Sequence, residues 1–239
     1  MIQPVLVEEN MKSAKRIHKK LEKYFLEDPD ILEIGVDEVG RGPMFGRVYT
    51  AAVILPKDDT FDHSLMKDSK RFSSKKKITE VAEYIKQNAI AWNVTYEDEK
   101  TIDTINILQA TQQSMHASIL GITKRYDSSV TKIQLLIDGN YFNPITRMNK
   151  ERGMIEALPH ICIEGGDDKY TAIAAASILA KVARDEYIEE LCNANPELAE
   201  KYKIDSNKGY GSKEHMEGIR NHGITIWHRR TFGICKNYV

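Results

Sequence analysis

Apolar and polar positions fall into short, regular blocks along this chain. The run "ILEIGVD" (31–37) is apolar up to its final acid, and "RVYTAAVIL" (47–55) follows it after a loop rich in Gly and Pro. Both are rich in β-branched residues and have the length of strands, and their closeness in sequence predicts that they pair directly. "AIAWNVTY" (89–96), "KIQLLIDGN" (132–140) and "PHICIEGGDD" (159–168) predict three further strands. Between them the spacing changes to i, i+3, i+4, which predicts helices over "SSKKKITEVAEYIKQN" (73–88), the long segment 97–126 and "YTAIAAASILAKVARDEYIEELC" (170–192). Residues 9–26 mix apolar positions with Lys and Glu at helical spacing, predicting an amphipathic leading helix. Strands interleaved with helices give an α/β class, and the polar, turn-rich last forty or so residues predict a helical appendage packed on it.

Three of the predicted strands end in acids. In an open α/β sheet, the C-terminal ends of strands are where ligands are held. Asp37 and Asp138 have that placement, and Asp167 follows a third strand and precedes a helix. Glu38 adds a fourth carboxylate. Neighbouring strand residues point to opposite faces, so Asp37 and Glu38 share a site only if the strand is ending there, and Gly40 and Gly42 supply the freedom to turn. Taken singly, each acid is equally well read as a helix cap, a turn closure or a partner for a lysine. Taken together, clustered carboxylates repel one another in a low-dielectric cleft unless cations neutralise them. Magnesium or manganese, which favour oxygen ligands, are the simplest occupants. Two such ions, about 3.5–4 Å apart, form a standard device for in-line displacement at phosphorus.

Composition narrows the partners only a little. At 239 residues and 41% hydrophobic, the chain can build one large domain, and a net charge of −1 announces neither a polyanion nor a membrane surface. Any basic site must therefore be local. Cys162, Cys192 and Cys235 are far apart and form no C-x-x-C pair, which removes the main support for zinc-ribbon and thioredoxin readings. No segment has the apolar length of a signal peptide or a membrane span, so a cytoplasmic protein with reduced thiols is expected.

Five motifs then coincide in order and spacing. "DEVGRGP" (37–43), "KDSKRFS" (67–73), "LIDGN" (136–140), "GDDKYTAIAAASILAKVARD" (166–185), and "NKGYGSKEH" (207–215) with "HRRTF" (228–232) resemble type 2 ribonuclease H, ribonuclease HII, across about residues 31–233. The resemblance implies an RNase H-like fold: a mixed five-stranded sheet flanked by helices, with a small C-terminal helical region that forms a substrate groove. It implies that Asp37, Glu38, Asp138 and Asp167 hold two divalent cations, Mg²⁺ or Mn²⁺; the family's Gly-Asp pair aligns with Gly166 and Asp167, leaving Asp168 as a first-turn helix acid. It further implies that the bare backbone of Gly40, Arg41 and Gly42 recognises the ribose 2′-hydroxyl, and that Tyr210 stacks at the ribonucleotide–deoxyribonucleotide step. Lys70 and Lys208, beside these motifs, are expected at phosphates.

The chain departs from the family pattern at Met44, Phe45 and Arg47, where packing behind the site is expected to change, and at Arg71-Phe72, where only fine substrate positioning is affected. Lys75, Lys76 and Lys77 read as a solvated helix start. Lys208, Lys213, His215, Arg220, Arg229 and Arg230 crowd the C-terminal part and read as a basic cluster. Ser177, Lys181 and Asp185 lie on one helix face, where a Lys181–Asp185 pair accounts for them as well as substrate contact does. His215, His222 and His228 lack zinc-ligand spacing and are expected in structural or phosphate-facing roles.

The expected function is an endoribonuclease acting on RNA–DNA hybrid duplexes and on DNA duplexes with embedded ribonucleotides, incising 5′ of the ribonucleotide and leaving 3′-hydroxyl and 5′-phosphate ends. By resemblance it serves ribonucleotide removal and primer removal in DNA replication, as a monomer with no membrane partner. A sliding clamp is a partner that the residues do not reveal. Two alternatives are a ribonuclease HIII-like enzyme, opposed by Arg41 and the short leading segment, and a catalytically inactive hybrid-binding module, opposed by the four acids. The expected layout is a leading extension (1–30), a catalytic domain (31–195) and a C-terminal substrate-binding region (196–239).

Overall fold

The structure, a computed structural model, describes residues 20–124, 132–149 and 153–239. A five-stranded sheet is built from β1 (Ile31–Val39), β2 (Val48–Ile54), β3 (Ala91–Glu97), β4 (Lys132–Asp138) and β7 (His160–Ile163), in the order β3-β2-β1-β4-β7. β1, β2 and β3 form an antiparallel meander, whereas β4 runs parallel to β1, and β7 parallel to β4. This is the mixed sheet that the family resemblance implies. β1 and β2 are buried on both faces, which is why their sequences read as continuous apolar runs rather than alternating ones.

Two helices, α1 (Lys75–Asn88) and α3 (Thr171–Ala194), cover one face, where Ala51 and Val53 of the sheet meet Ile78, Ile85 and the small residues Ala174–Ala176. α2 (Glu99–Thr123) covers the other, packing Met115, Ile119 and Ile122 onto Ile34, Val36 and Ile54. Ser74 caps α1 and Asp98 caps α2 by accepting backbone N–H bonds, as the sequence positions allow. The close approach of α3 depends on Gly35: a Cβ there would stand 2.2 Å from the Ala172 carbonyl carbon. That contact presses α3 onto the strand carrying Asp37.

Three features differ from the sequence expectation. Residues 9–19 of the expected leading helix lie outside the described residues, and residues 20–26 are not helical. Instead the Glu22 backbone bridges to Tyr170 beside α3, and the buried Glu33 carboxylate accepts N–H bonds from Phe25 and Leu26. α2 is interrupted at Asn106 (φ 65°), whose side chain accepts from the Gln109 N–H and so starts the helix afresh. A small hairpin, β5 (Thr146–Asn149) with β6 (Met154–Ala157), was not anticipated, since its strands are short and bury no continuous apolar face.

The C-terminal part folds into α4 (Glu197–Tyr202), α5 (Ile204–Asn207) and α6 (Lys213–His222). These close a separate core in which Met44 and Phe45, from the loop after β1, pack with Ile188, Leu198, Tyr202 and Ile219. The Met44 and Phe45 departures therefore form the apolar seam between the sheet and this region. Arg47 lies beside it, with its guanidinium stacked 4.0 Å and 4.4 Å from the ring centres of Tyr96 and Tyr187.

Candidate active site

The last β1–β4 rung pairs Val36 with Ile137, so Asp37, Glu38 and Asp138 stand just beyond the end of the parallel ladder. β1 itself continues to Val39 against β2, and Gly40 (φ 97°) turns the chain away. Both acids of β1 are thus still on the strand, and the chain turns only after them. Carboxylate oxygens of Asp37, Glu38 and Asp138 all lie within 4.8 Å of one another. Asp37 is buried and accepts a 2.7 Å bond from the Glu38 N–H, while Asp138 accepts a 2.6 Å bond from the Gly166 N–H. Arg41 reaches Glu38 at 3.4 Å.

Asp167 stands outside that group of three but beside it. Its carboxyl is pushed above the usual range by burial first, then by Asp138 and Asp68, with Lys70 opposing. Asp168 instead turns to the surface, where Arg71 binds it at 3.0 Å. Burial, then Glu38 and Asp138, push the Asp37 carboxyl well above its ordinary value, with a Ser177 hydrogen bond opposing. Burial pushes Glu38 up to about 7, with Arg41 opposing and Asp138 adding repulsion. Oxygen-only donors, crowded and charge-frustrated at strand ends, are the donor chemistry of a hard divalent cation site, so the residues present fit such an ion.

Beside the acids lies the loop Gly40-Arg41-Gly42. Arg41 and Gly42 are exposed, and a Cβ at Gly42 would lie 3.6 Å from the Tyr210 ring, so the half-exposed tyrosine stands directly over the glycine. The loop is held from behind by two arginines that the sequence reading misplaced or missed. Arg229, assigned above to a basic surface cluster, is fully buried and donates to the carbonyls of Gly40 (2.6 Å), Arg41 (3.0 Å), Pro43 (2.8 Å) and Gly46 (2.8 Å). Arg184 donates to Phe45 (3.3 Å), Arg47 (3.2 Å) and Lys208 (2.9 Å). Burial and the Arg184 charge lower the Arg229 guanidinium to about 9, which leaves it protonated at neutral pH.

The signal for Arg184 was present. Ile173, Ser177, Ala180, Arg184 and Ile188 fall on one helix face, and all five are buried. Ser177 on that stripe touches Asp37 and lies 3.1 Å from Ser69. Lys181 pairs with Asp185 at 2.7 Å, the local alternative weighed above. Lys70 is exposed near Asp167, and Lys208 lies 3.5 Å from Glu189, which also pairs with Lys75. His215 and His228 are buried against each other, with their Nε2 atoms 3.1 Å apart.

Comparison with known proteins bears on the family and the fold. The family model described as Ribonuclease HII matches residues 34–235. The chain belongs to the ribonuclease HII family. A ribonuclease HII of Bacteroides thetaiotaomicron is 42% identical over 205 residues, covering 86% of this chain and 91% of the relative. Among solved structures, ribonuclease H2 from Pyrococcus horikoshii OT3 superimposes with a TM-score of 0.61 at 22% identity, covering 86% of this chain and 96% of that one. Bst-RNase HIII, in complex with Mn²⁺, superimposes with a TM-score of 0.57 at 18% identity, covering 80% and 70%. At these identities the two structures speak for the fold, and the family model and the relative speak for the family. The chain is a ribonuclease H, a hydrolase of RNA–DNA hybrids, and its acidic cluster is able to bind metal. No helix among the described residues is long and apolar enough to cross a membrane.

Proposed function

We propose that this enzyme is a divalent-metal-dependent endoribonuclease that cuts the RNA strand of hybrids and incises duplex DNA on the 5′ side of embedded ribonucleotides. It leaves 3′-hydroxyl and 5′-phosphate ends, and works as a monomer in ribonucleotide and primer removal in the cytoplasm. The observation that carries this reading is the adjacency of two devices: carboxylate oxygens within 4.8 Å of one another, and a glycine loop roofed by Tyr210.

Asp37, Glu38, Asp138 and Asp167 would hold two cations, Mg²⁺ or Mn²⁺. When bound, such ions lower the pKa of water and stabilise charge on phosphoryl oxygens. The chain's own residues do the selecting. The amides of Gly40, Arg41 and Gly42 approach the ribose, where no side chain intervenes at the glycines, and bind the 2′-hydroxyl; Tyr210 stacks on the neighbouring deoxyribose side of the junction. Lys70 and Lys208 bind phosphates, Lys208 exchanging its exposed-edge partner Glu189 for the polyanion. Residues 31–195 serve as the catalytic body and 196–239 as the substrate-binding region, with the extension 1–30 preceding them.

A duplex with one internal ribonucleotide tests the reading. Magnesium or manganese should support a single cut 5′ of that nucleotide, chelator should abolish it, and an all-DNA duplex should stay intact. A site built to bind a hydroxyl rejects the analogue lacking it by up to about 10⁴–10⁵-fold. Equal cutting of the two duplexes, or full activity in chelator, would refute it.

A further inference from the structure

Residues 227–229 run antiparallel to residues 44–46. Gly46 donates to the Trp227 carbonyl (2.9 Å), Arg229 donates to the Met44 carbonyl (2.8 Å), and Phe45 bridges His228. Along such a strand, neighbouring side chains point in opposite directions. Arg229 points at the Gly40–Gly46 loop and satisfies four of its carbonyls, while His228 points at His215. Those carbonyls are thereby turned inward, and the Met44 and Gly46 amides are taken by the Gly209 and Trp227 carbonyls, so the loop is pinned along its length.

The histidine side is a chain of hydrogen bonds with only one consistent proton arrangement. Thr225 donates its N–H to His228 Nδ1 (2.9 Å) and sets its hydroxyl, which is free to rotate as donor, 2.8 Å from the same nitrogen; with Nδ1 as the acceptor, the proton of the neutral ring is on Nε2. At the far end, His215 Nδ1 lies 2.8 Å from the Tyr210 carbonyl, which only accepts, so His215 is protonated on Nδ1 and bare on Nε2. The two assignments were made from opposite ends, and they meet at the centre as a good bond: His228 Nε2–H donates to His215 Nε2 at 3.1 Å. Burial lowers both imidazoles, and with His215 beside it His228 falls to about 3, so the His228 ring stays neutral in ordinary buffers. Phe45 and Tyr202 pack edge-on against His228, with ring centres at 5.0 and 5.2 Å, and keep the chain dry.

We infer that the consecutive pair His228–Arg229 is the positioning element of the ribose-reading cleft: Arg229 shapes the Gly40–Gly42 wall, and His228, through His215, fixes the Tyr210 wall at the matching distance. One rigid dipeptide thereby sets the gap between two walls that come from chain segments far apart in sequence. The inference rests on the proposed roles of that loop and of Tyr210.

The test uses the full chain with three duplexes: all-DNA, single-ribonucleotide and RNA–DNA hybrid. Wild type is assayed first, because failure to discriminate ribose there would refute the proposed function rather than the pair's role. Arg229→Lys keeps the charge but replaces the fork with a single nitrogen that cannot span four carbonyls. Per folded molecule, well below the melting transition, kcat on the single-ribonucleotide duplex should fall about 10²-fold, as expected of misplacement on the ångström scale. Affinity for all-DNA duplex should stay within about threefold, since phosphate contacts are untouched. His228→Leu should cost about tenfold in the same kcat, and His228→Gln, which still offers an N–H to His215, should recover most of it. Nitrogen-15 NMR should show His215 protonated on Nδ1 in wild type. An unchanged kcat per folded molecule in both Arg229→Lys and His228→Leu would overturn the inference, as would an Nε2-protonated His215. If Arg229→Lys does not fold, the histidine variants and the NMR signature decide.

Discussion

The two halves of the cleft handle buried charge in opposite ways. At the strand ends, Asp37, Glu38 and Asp138 are crowded together with one weak cationic contact, Arg41 at 3.4 Å, and Asp37 and Glu38 are pushed toward protonation. Behind the adjoining loop, Arg184 and Arg229 are buried more deeply than the acids, yet seven backbone carbonyls receive their N–H groups. The acidic half is left short of partners, as the proposed cation site requires; the basic half is complete in the fold and completes the fold. Buried charge therefore marks a binding site only where it is under-partnered, and marks scaffold where its hydrogen bonds are filled.

The sharpest way to break this contrast is to neutralise one member of each half. Asp37→Asn or Asp138→Asn should lower kcat by about 10³-fold or more, because a cation ligand is lost. The melting temperature in chelator should stay level or rise, since a repulsive charge goes with it. A large drop in melting temperature would place the acids in the scaffold. Arg184→Met should do the reverse, lowering unfolding stability by about 3 kcal/mol or more through three orphaned carbonyls, as read from denaturant titration. Stability unchanged by that substitution would remove Arg184 from the scaffold.

Acidity separates the halves with opposite signs. Glu38 is raised from 4.5 to about 7 in the fold, and Asp37 is raised with it, so without metal the Glu38 contribution to the native state is present at low pH and is lost as pH rises through about 7. At subsaturating metal, cleavage should climb across the same range as Glu38 gives up its proton. The histidine pair is lowered instead, His228 from 6.5 to about 3, so its contribution is present above pH 6.5 and is lost as pH falls below it. By pH 5 the loss from His228 should be about 2 kcal/mol, read as the change with pH in the stability difference between wild type and His228→Gln, in which the opposite contribution of the acids cancels. A difference that stays constant from pH 7 to 5 would contradict it.

The smallest effect divides the aspartate doublet. Asp168→Asn should change kcat less than about threefold and stability by about 0–1 kcal/mol, since only the exposed Arg71 pair is touched. Asp167→Asn should be far more damaging to cleavage. The opposite ranking would move the fourth ligand to Asp168.

Much of this was set by sequence alone. The five sheet strands, three long helices and the strand-end positions of Asp37, Glu38 and Asp138 follow from local periodicity, because a strand or helix buries its pattern wherever it packs. The motifs likewise placed the glycine loop and Tyr210. Packing decided the rest. The break at Asn106 depends on a backbone conformation that composition does not show, and the β5–β6 hairpin has too little buried surface to leave a pattern. Arg229 looked like surface charge, and the structural role expected for His215 had no named partner, because a basic residue's partners, here backbone carbonyls and a second imidazole, have no side-chain signature in sequence. The bonds from Arg229 to the loop join residues more than 180 positions apart. Whether a cation is solvated or locked to carbonyls is a desolvation balance, and only the tertiary structure, by closing over it or leaving it open, fixes which side prevails.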